Sequence, residues 1–179
     1  DLERLVEEIK RRLRELLKEL HKKSKEIEEE IRRILKRHHE LLERIVRRLE
    51  ELVEEVKRRN SDDDTVKKRV KEEIDRLLED YKRHLEEVER LLRKLLREYE
   101  EKVKEIEKEI RKLKKRLEEA GVDKKLLEDL EREIEKVKKA ARDDLRRLEE
   151  IVRDVERRLR ENVKRLKEEA DRVKEELEK

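Results

Sequence analysis

Residues 113–130 read LKKRLEEAGVDKKLLEDL, and the four residues Ala120-Gly121-Val122-Asp123 at the centre of this stretch decide the fold. Gly121 is the chain's single glycine. Glycine just after a helix takes the left-handed conformation that stops it, and the next residue, Val122, can fold back onto Leu117 in a Schellman motif. Asp123 then suits the N-cap of a new helix. Val122 and Leu127 have the spacing of a hydrophobic staple across that start. A stop and a start this close together force the two flanking helices to run antiparallel.

The same signal lies upstream. Asn60 suits a left-handed helix end, Ser61 suits an N-cap, and Asp62, Asp63 and Asp64 face the positive end of the helix that follows. Between these turns nothing interrupts three amphipathic stripes, so helices are expected over about 1–59, 62–119 and 123–179, with turns at 60–61 and 120–122. From Leu2 to Val56 the apolar stripe takes 15 steps over 54 residues, or 3.60 per step; from Val66 to Leu117 and from Leu126 to Leu177 the step is 3.64. A left-handed coiled coil needs about 3.5 and a right-handed one about 3.67. The expected fold is therefore all-α: one domain over 1–179, an antiparallel up-down-up three-helix bundle of long, nearly straight helices.

Composition narrows the function classes. Lys and Arg number 57, Asp and Glu 54, and Leu, Ile and Val supply 52 more of the 179 residues. Cysteine is absent, which removes disulfide frameworks and Cys-zinc sites. No apolar run approaches the roughly 20 residues of a membrane span, and no signal or transit pattern opens the chain. The two signs of charge are finely mixed, and the net charge is only +3. Clusters such as Lys114-Lys115-Arg116 and Arg146-Arg147 read as solvated helix surface, and nucleic-acid binding is not expected. Disorder, the other reading of so much charge, is excluded by the apolar periodicity.

Capped turns, the seven-letter bulk composition, aliphatic stripes and a Glu/Lys/Arg surface together resemble computationally designed helical bundles over the whole chain. The 3.6-residue period resembles the untwisted, parametrically built members with buried hydrogen-bond networks. Spectrin-like repeats share the topology, but they usually carry the Trp, Gln and Met that this chain lacks. The resemblance implies a very stable scaffold with no natural activity, no evolved ligand and no cofactor. It also implies a soluble chain with no natural location, cytoplasmic when produced recombinantly. A monomer is favoured, since three helices can bury doublets such as Leu41-Leu42 and Leu91-Leu92. The alternative is an interaction module completed by a second copy or a partner helix and responsive to pH through buried His.

Seven residues break the stripes: Ser24, His38, Tyr81, His84, Tyr99, Asp144 and Asn162. Antiparallel register pairs positions that sum to about 123 across the first turn and 242 across the second. His38, Tyr81, His84 and Asn162 then gather at one level, with His39 at its margin. Ser24, Tyr99 and Asp144 gather at another, with His21 one turn away. The expectation is two buried hydrogen-bond networks that fix which helix faces which. Asp144 has the alternative of standing in water at the stripe's edge beside Leu145.

Sharper chemistry is disfavoured. Zinc wants three or four converging ligands, and His39 points about 100° away from His38. A bis-His haem would need a cavity of small residues at that level. Ser24 near Tyr99 and Asp144 has no oxyanion donor from a loop or helix end. No catalytic, cofactor-binding or metal residues are therefore assigned. A pH response is the credible extra property, because buried neutral His resists protonation.

Overall fold

The computed structural model describes residues 1–59 and 64–179. The expected turn at Asn60 and Ser61 lies outside the described residues. Three α-helices account for nearly all of the rest: α1 (Leu2–Arg59), α2 (Asp64–Glu119) and α3 (Lys124–Glu178). There is no strand among the described residues, and the fold is a three-helix bundle.

Burial follows the helical period closely. On α1 the buried positions run Val6, Ile9, Leu13, Leu16, Leu20, then Ser24, Ile27, Ile31, Ile34, His38, then Leu42, Ile45, Leu49, Leu52. Each run starts 18 residues after the last, and five turns of 3.6 residues make 18. On α2 the same interval links Val70, Val88 and Ile106, and links Tyr81, Tyr99 and Leu117. On α3 it links Ala141, Leu159 and Leu177. The polar exceptions thus occupy ordinary core slots of a repeating stripe.

The described turn is built as its sequence implies. Gly121 has φ of 68°, in the left-handed region. Val122 N–H donates to the Leu117 carbonyl at 3.4 Å and Gly121 N–H to the Glu118 carbonyl at 3.2 Å, the two bonds of a Schellman motif. Val122 and Leu117 are both buried. Asp123 precedes α3, and its carbonyl accepts the Leu127 N–H at 3.0 Å.

Residue contacts group the chain into two compact units, one of Asp1–Glu30 with Arg93–Ile151, the other of Ile31–Leu92 with Val152–Lys179. In the first unit, ion pairs join α1 to α2 at Arg12–Glu109, Glu19–Lys102 and Lys23–Glu98. As one number rises the other falls, so the two helices are antiparallel. Bonds from α3 to α1 rise together instead, His21 with Asp144 and Ser24 with Arg147, so those helices are parallel. In the second unit His38–Tyr81 and Arg48–Glu73 give the same antiparallel sense. Its core joins Leu42, Ile45, Leu49 and Leu52 of α1 to Val70, Ile74 and Tyr81 of α2 and to Leu166, Ala170, Val173 and Leu177 of α3. The numbers of each α1–α2 ion pair named here total 121, two below the expected register near 123.

A Cβ built on Gly121 meets nothing within 4 Å, so only its backbone conformation opposes substitution. Gly121→Ala is expected to cost about 1 kcal/mol and Gly121→Asn less. Urea denaturation checks this; an unchanged midpoint in the alanine variant would contradict it.

Candidate functional site

Two clusters of polar side chains interrupt the stripes, one in each unit. In the second unit the Tyr81 hydroxyl and His38 Nε2 share a hydrogen bond of 3.0 Å, with both residues buried. The His84 ring stacks on His38, centroids 5.3 Å apart and planes 13° apart. The Tyr81 ring tilts against His38 at 52°, also 5.3 Å away. Two buried ring nitrogens, His38 Nδ1 and His84 Nε2, have no hydrogen-bond partner among the described residues. An unmet polar group of this kind costs about 1–3 kcal/mol.

The same burial controls protonation. Loss of water pushes His38 down to about 4, with the neighbouring His84 and His39 adding to the shift. His84 is lowered chiefly by burial; Arg37 reinforces this and Glu87 opposes it. Burial pushes the Tyr81 hydroxyl up to about 12. His39 is exposed and pairs with Glu43 at 2.9 Å. Asn162, expected in this cluster, does not join it: it is half-buried on α3 and in no hydrogen bond among the described residues. The Tyr81 hydroxyl turns to α1 instead, so α3 contributes no polar partner to it.

The first unit holds the other cluster. Asp144 is buried at 8% exposure and does not stand in water at the stripe's edge. Its Oδ2 accepts a long hydrogen bond from the Tyr99 hydroxyl at 3.4 Å and lies 3.1 Å from His21 Nδ1. Burial, then the charge of Asp144, raises the Tyr99 hydroxyl above the usual tyrosine range. Ser24 is buried, and its Oγ accepts from Arg147 Nη2 at 3.2 Å. Arg147 also pairs with Glu28 at 2.7 Å. Arg147 belongs to a doublet that reads as solvated surface. Its side chain is half exposed, yet its head reaches back to α1, as long cationic side chains do.

Two further pairs escape a reading confined to the stripes. Arg12 Nε and Nη2 donate to both carboxylate oxygens of Glu109, at 2.5 and 2.9 Å. Arg48 holds Glu73 the same way, at 2.6 and 3.1 Å. The hydrogen bond from each arginine lowers the carboxyl it holds below the usual range. Their signal is a repeat: Arg12, Glu15 and Glu19 recur as Arg48, Glu51 and Glu55, 36 residues later.

Chemically, the first cluster is a His–Asp pair beside a serine whose hydroxyl faces a guanidinium. A nucleophilic serine needs a base within hydrogen-bond reach, and Ser24 Oγ instead accepts from Arg147. Among the described residues no group of three or more His, Cys, Asp or Glu could hold a metal ion. No helix is long and apolar enough to cross a membrane.

Neither a protein-family model nor a curated protein matches the sequence. A solved structure does match in fold: a "Computationally designed three helix bundle", with a TM-score of 0.62 and 25% identity, covering 98% of this chain and 90% of that one. The likeness is to a designed protein. It bears out the resemblance to computationally designed helical bundles.

The His pair sets the pH behaviour. Folded-state values below the unfolded 6.5 mean that the His contribution is complete above pH 6.5. It falls as the unfolded chain takes up protons first, and His38's share levels off below about pH 4. The loss from His38 alone is on the order of 3 kcal/mol. The depressed carboxyls of Glu73 and Glu109 lose their contribution only at lower pH, as they protonate. Urea midpoints measured from pH 7 to 4.5 should therefore fall in the parent chain and stay nearly flat in His38→Leu/His84→Leu. A flat parent profile would refute the buried-His geometry.

Proposed function

We infer that the chain is a designed structural scaffold without a natural biochemical activity, and that its polar clusters specify how its helices pair. One observation carries the second half of this reading. Each buried residue outside the hydrophobic set, Ser24, His38 and Asp144, hydrogen-bonds to a different helix from its own. A uniform aliphatic stripe gains nearly the same burial in a slipped register. A slipped polar residue is left unpaired in an apolar site, at a cost of about 1–3 kcal/mol. The designed-scaffold half is supported by the likeness to a designed three-helix bundle over nearly the whole chain.

The working form is taken to be a monomer that needs no partner or cofactor. In support, Leu2 and Leu91 are the only large hydrophobics exposed among the described residues. A second reading, a pH-responsive interaction module, is favoured by the stacked His38 and His84, whose depressed protonation makes acid unfavourable to the packed state. In that reading acid would open the His cluster and release a partner or a second copy.

Replacing Ser24, His38, Tyr81, His84, Tyr99 and Asp144 together by Leu tests the scaffold reading. The variant should stay helical and at least as resistant to urea as the parent, but show broadened, poorly dispersed methyl NMR spectra as registers mix. A single sharp set of signals would mean that the polar residues specify nothing. Light scattering at pH 7 and pH 4 separates the two readings: a monomer at both favours the scaffold, and a multimer that dissociates in acid favours the module.

A further inference from the structure

The first unit carries a hollow of about 470 Å³ between α2 and α3, floored by Val103, Ile110, Ala141 and Leu145. The 18-residue repeat accounts for part of this space. Ala141 occupies the slot that Leu159 and Leu177 fill further along α3, both of them buried. An alanine there leaves the space of the missing leucine side chain against Ile110 and Val103.

The rim of the hollow is cationic. Arg111 and Lys114 come from α2, and Lys138 and Arg142 from α3. In a chain laced with ion pairs, none of these four is in one among the described residues. Lys114 and Lys138 are only half exposed. One acid, Glu107, also lines the hollow, so the local formal charge is strongly positive. Like charges gathered around an apolar floor repel one another, and low-dielectric walls strengthen the field they make. The volume lies within the range of small-molecule sites, which combine an apolar lining with a few polar groups that fix orientation.

We propose that this hollow binds an amphipathic monoanion: a short alkyl chain against Val103, Ile110, Ala141 and Leu145, with its anionic head among Arg111, Lys114, Lys138 and Arg142. The chain replaces the missing leucine carbon, and the head relieves the repulsion between cations of two helices. Binding weakens with salt, because the charge contribution is screened within about 10 Å at 0.1 M.

The test is methyl NMR of the full chain at pH 7 and low salt, titrated with octyl sulfate. Saturable shifts are expected at the methyls of Val103, Ile110, Ala141 and Leu145. Octyltrimethylammonium and inorganic sulfate should each bind at least tenfold more weakly. Ala141→Leu occupies the floor of the hollow where the alkyl chain would lie and should weaken octyl sulfate at least tenfold. Lys138→Glu/Arg142→Glu alters only the rim and should do the same, which keeps the test decisive if the leucine variant fails to fold. Equal binding of the cationic amphiphile, unchanged affinity in either variant, or shifts centred on other aliphatic residues would overturn the proposal.

Discussion

A side chain on an α-helix returns to the same direction after 18 residues, because five turns of 3.6 residues make 18. The structure depends on this constraint. A seven-residue repeat drifts by about 20° per heptad on such a helix, and an 18-residue repeat does not drift. Val6, Ser24 and Leu42 therefore occupy one slot, as do Leu20 and His38, Tyr81 and Tyr99, and Asp144 and Asn162. Each of these polar residues occupies a position that the repeat buries or half-buries. Tyr81 and Tyr99 are the same slot solved in two ways. Tyr99 meets a carboxylate that accepts from two sides, whereas 18 residues after that carboxylate stands the neutral Asn162, and Tyr81 turns to His38 instead.

Magnitudes separate the roles of the two residue classes. Each aliphatic side chain taken fully out of water contributes ~1.5–3 kcal/mol. A neutral hydrogen bond contributes ~1 kcal/mol net, and an unpaired buried nitrogen costs about as much or more. The His38 cluster makes one hydrogen bond and leaves two nitrogens unmet, so its hydrogen bonding alone opposes stability. The aliphatic stripe holds the bundle together. Under the proposed reading the polar slots act on the choice among alternatives, where a penalty is as useful as a gain. The Arg12–Glu109 and Arg48–Glu73 forks lie on the α1–α2 flank and are partly solvated, so they add direction more than energy.

The fold was legible because its signals are local and redundant. Gly121 has one conformational use after a helix, and 52 aliphatics on a 3.6-residue period mark the buried face of each helix. That His38, Tyr81 and His84 come together, and likewise Tyr99, Asp144 and His21, was legible to within about a turn, since antiparallel register follows from where the turns are. Finer detail was not. The α1–α2 ion pairs total 121 against the expected 123, because long ionic side chains reach partners that do not stand directly opposite. Asn162 makes no bond to its expected cluster, since register says nothing about which way the Tyr81 hydroxyl points, and it points to His38. Arg147 lies off the stripe by angle and enters the site only through the reach of its side chain.

The central claim is that Ser24, His38 and Asp144, set into this stripe, are buried and paired across helices, and His38 is the point at which it fails most readily. Nitrogen-15 NMR of the His38 ring across pH 7 to 3.5 addresses it directly. The account predicts a neutral ring at pH 5.5, a titration midpoint near 4, and an Nε2 signal that changes when Tyr81 is replaced by Phe. A midpoint near 6.5, with an Nε2 signal indifferent to Tyr81, would show a solvated His38 and contradict it.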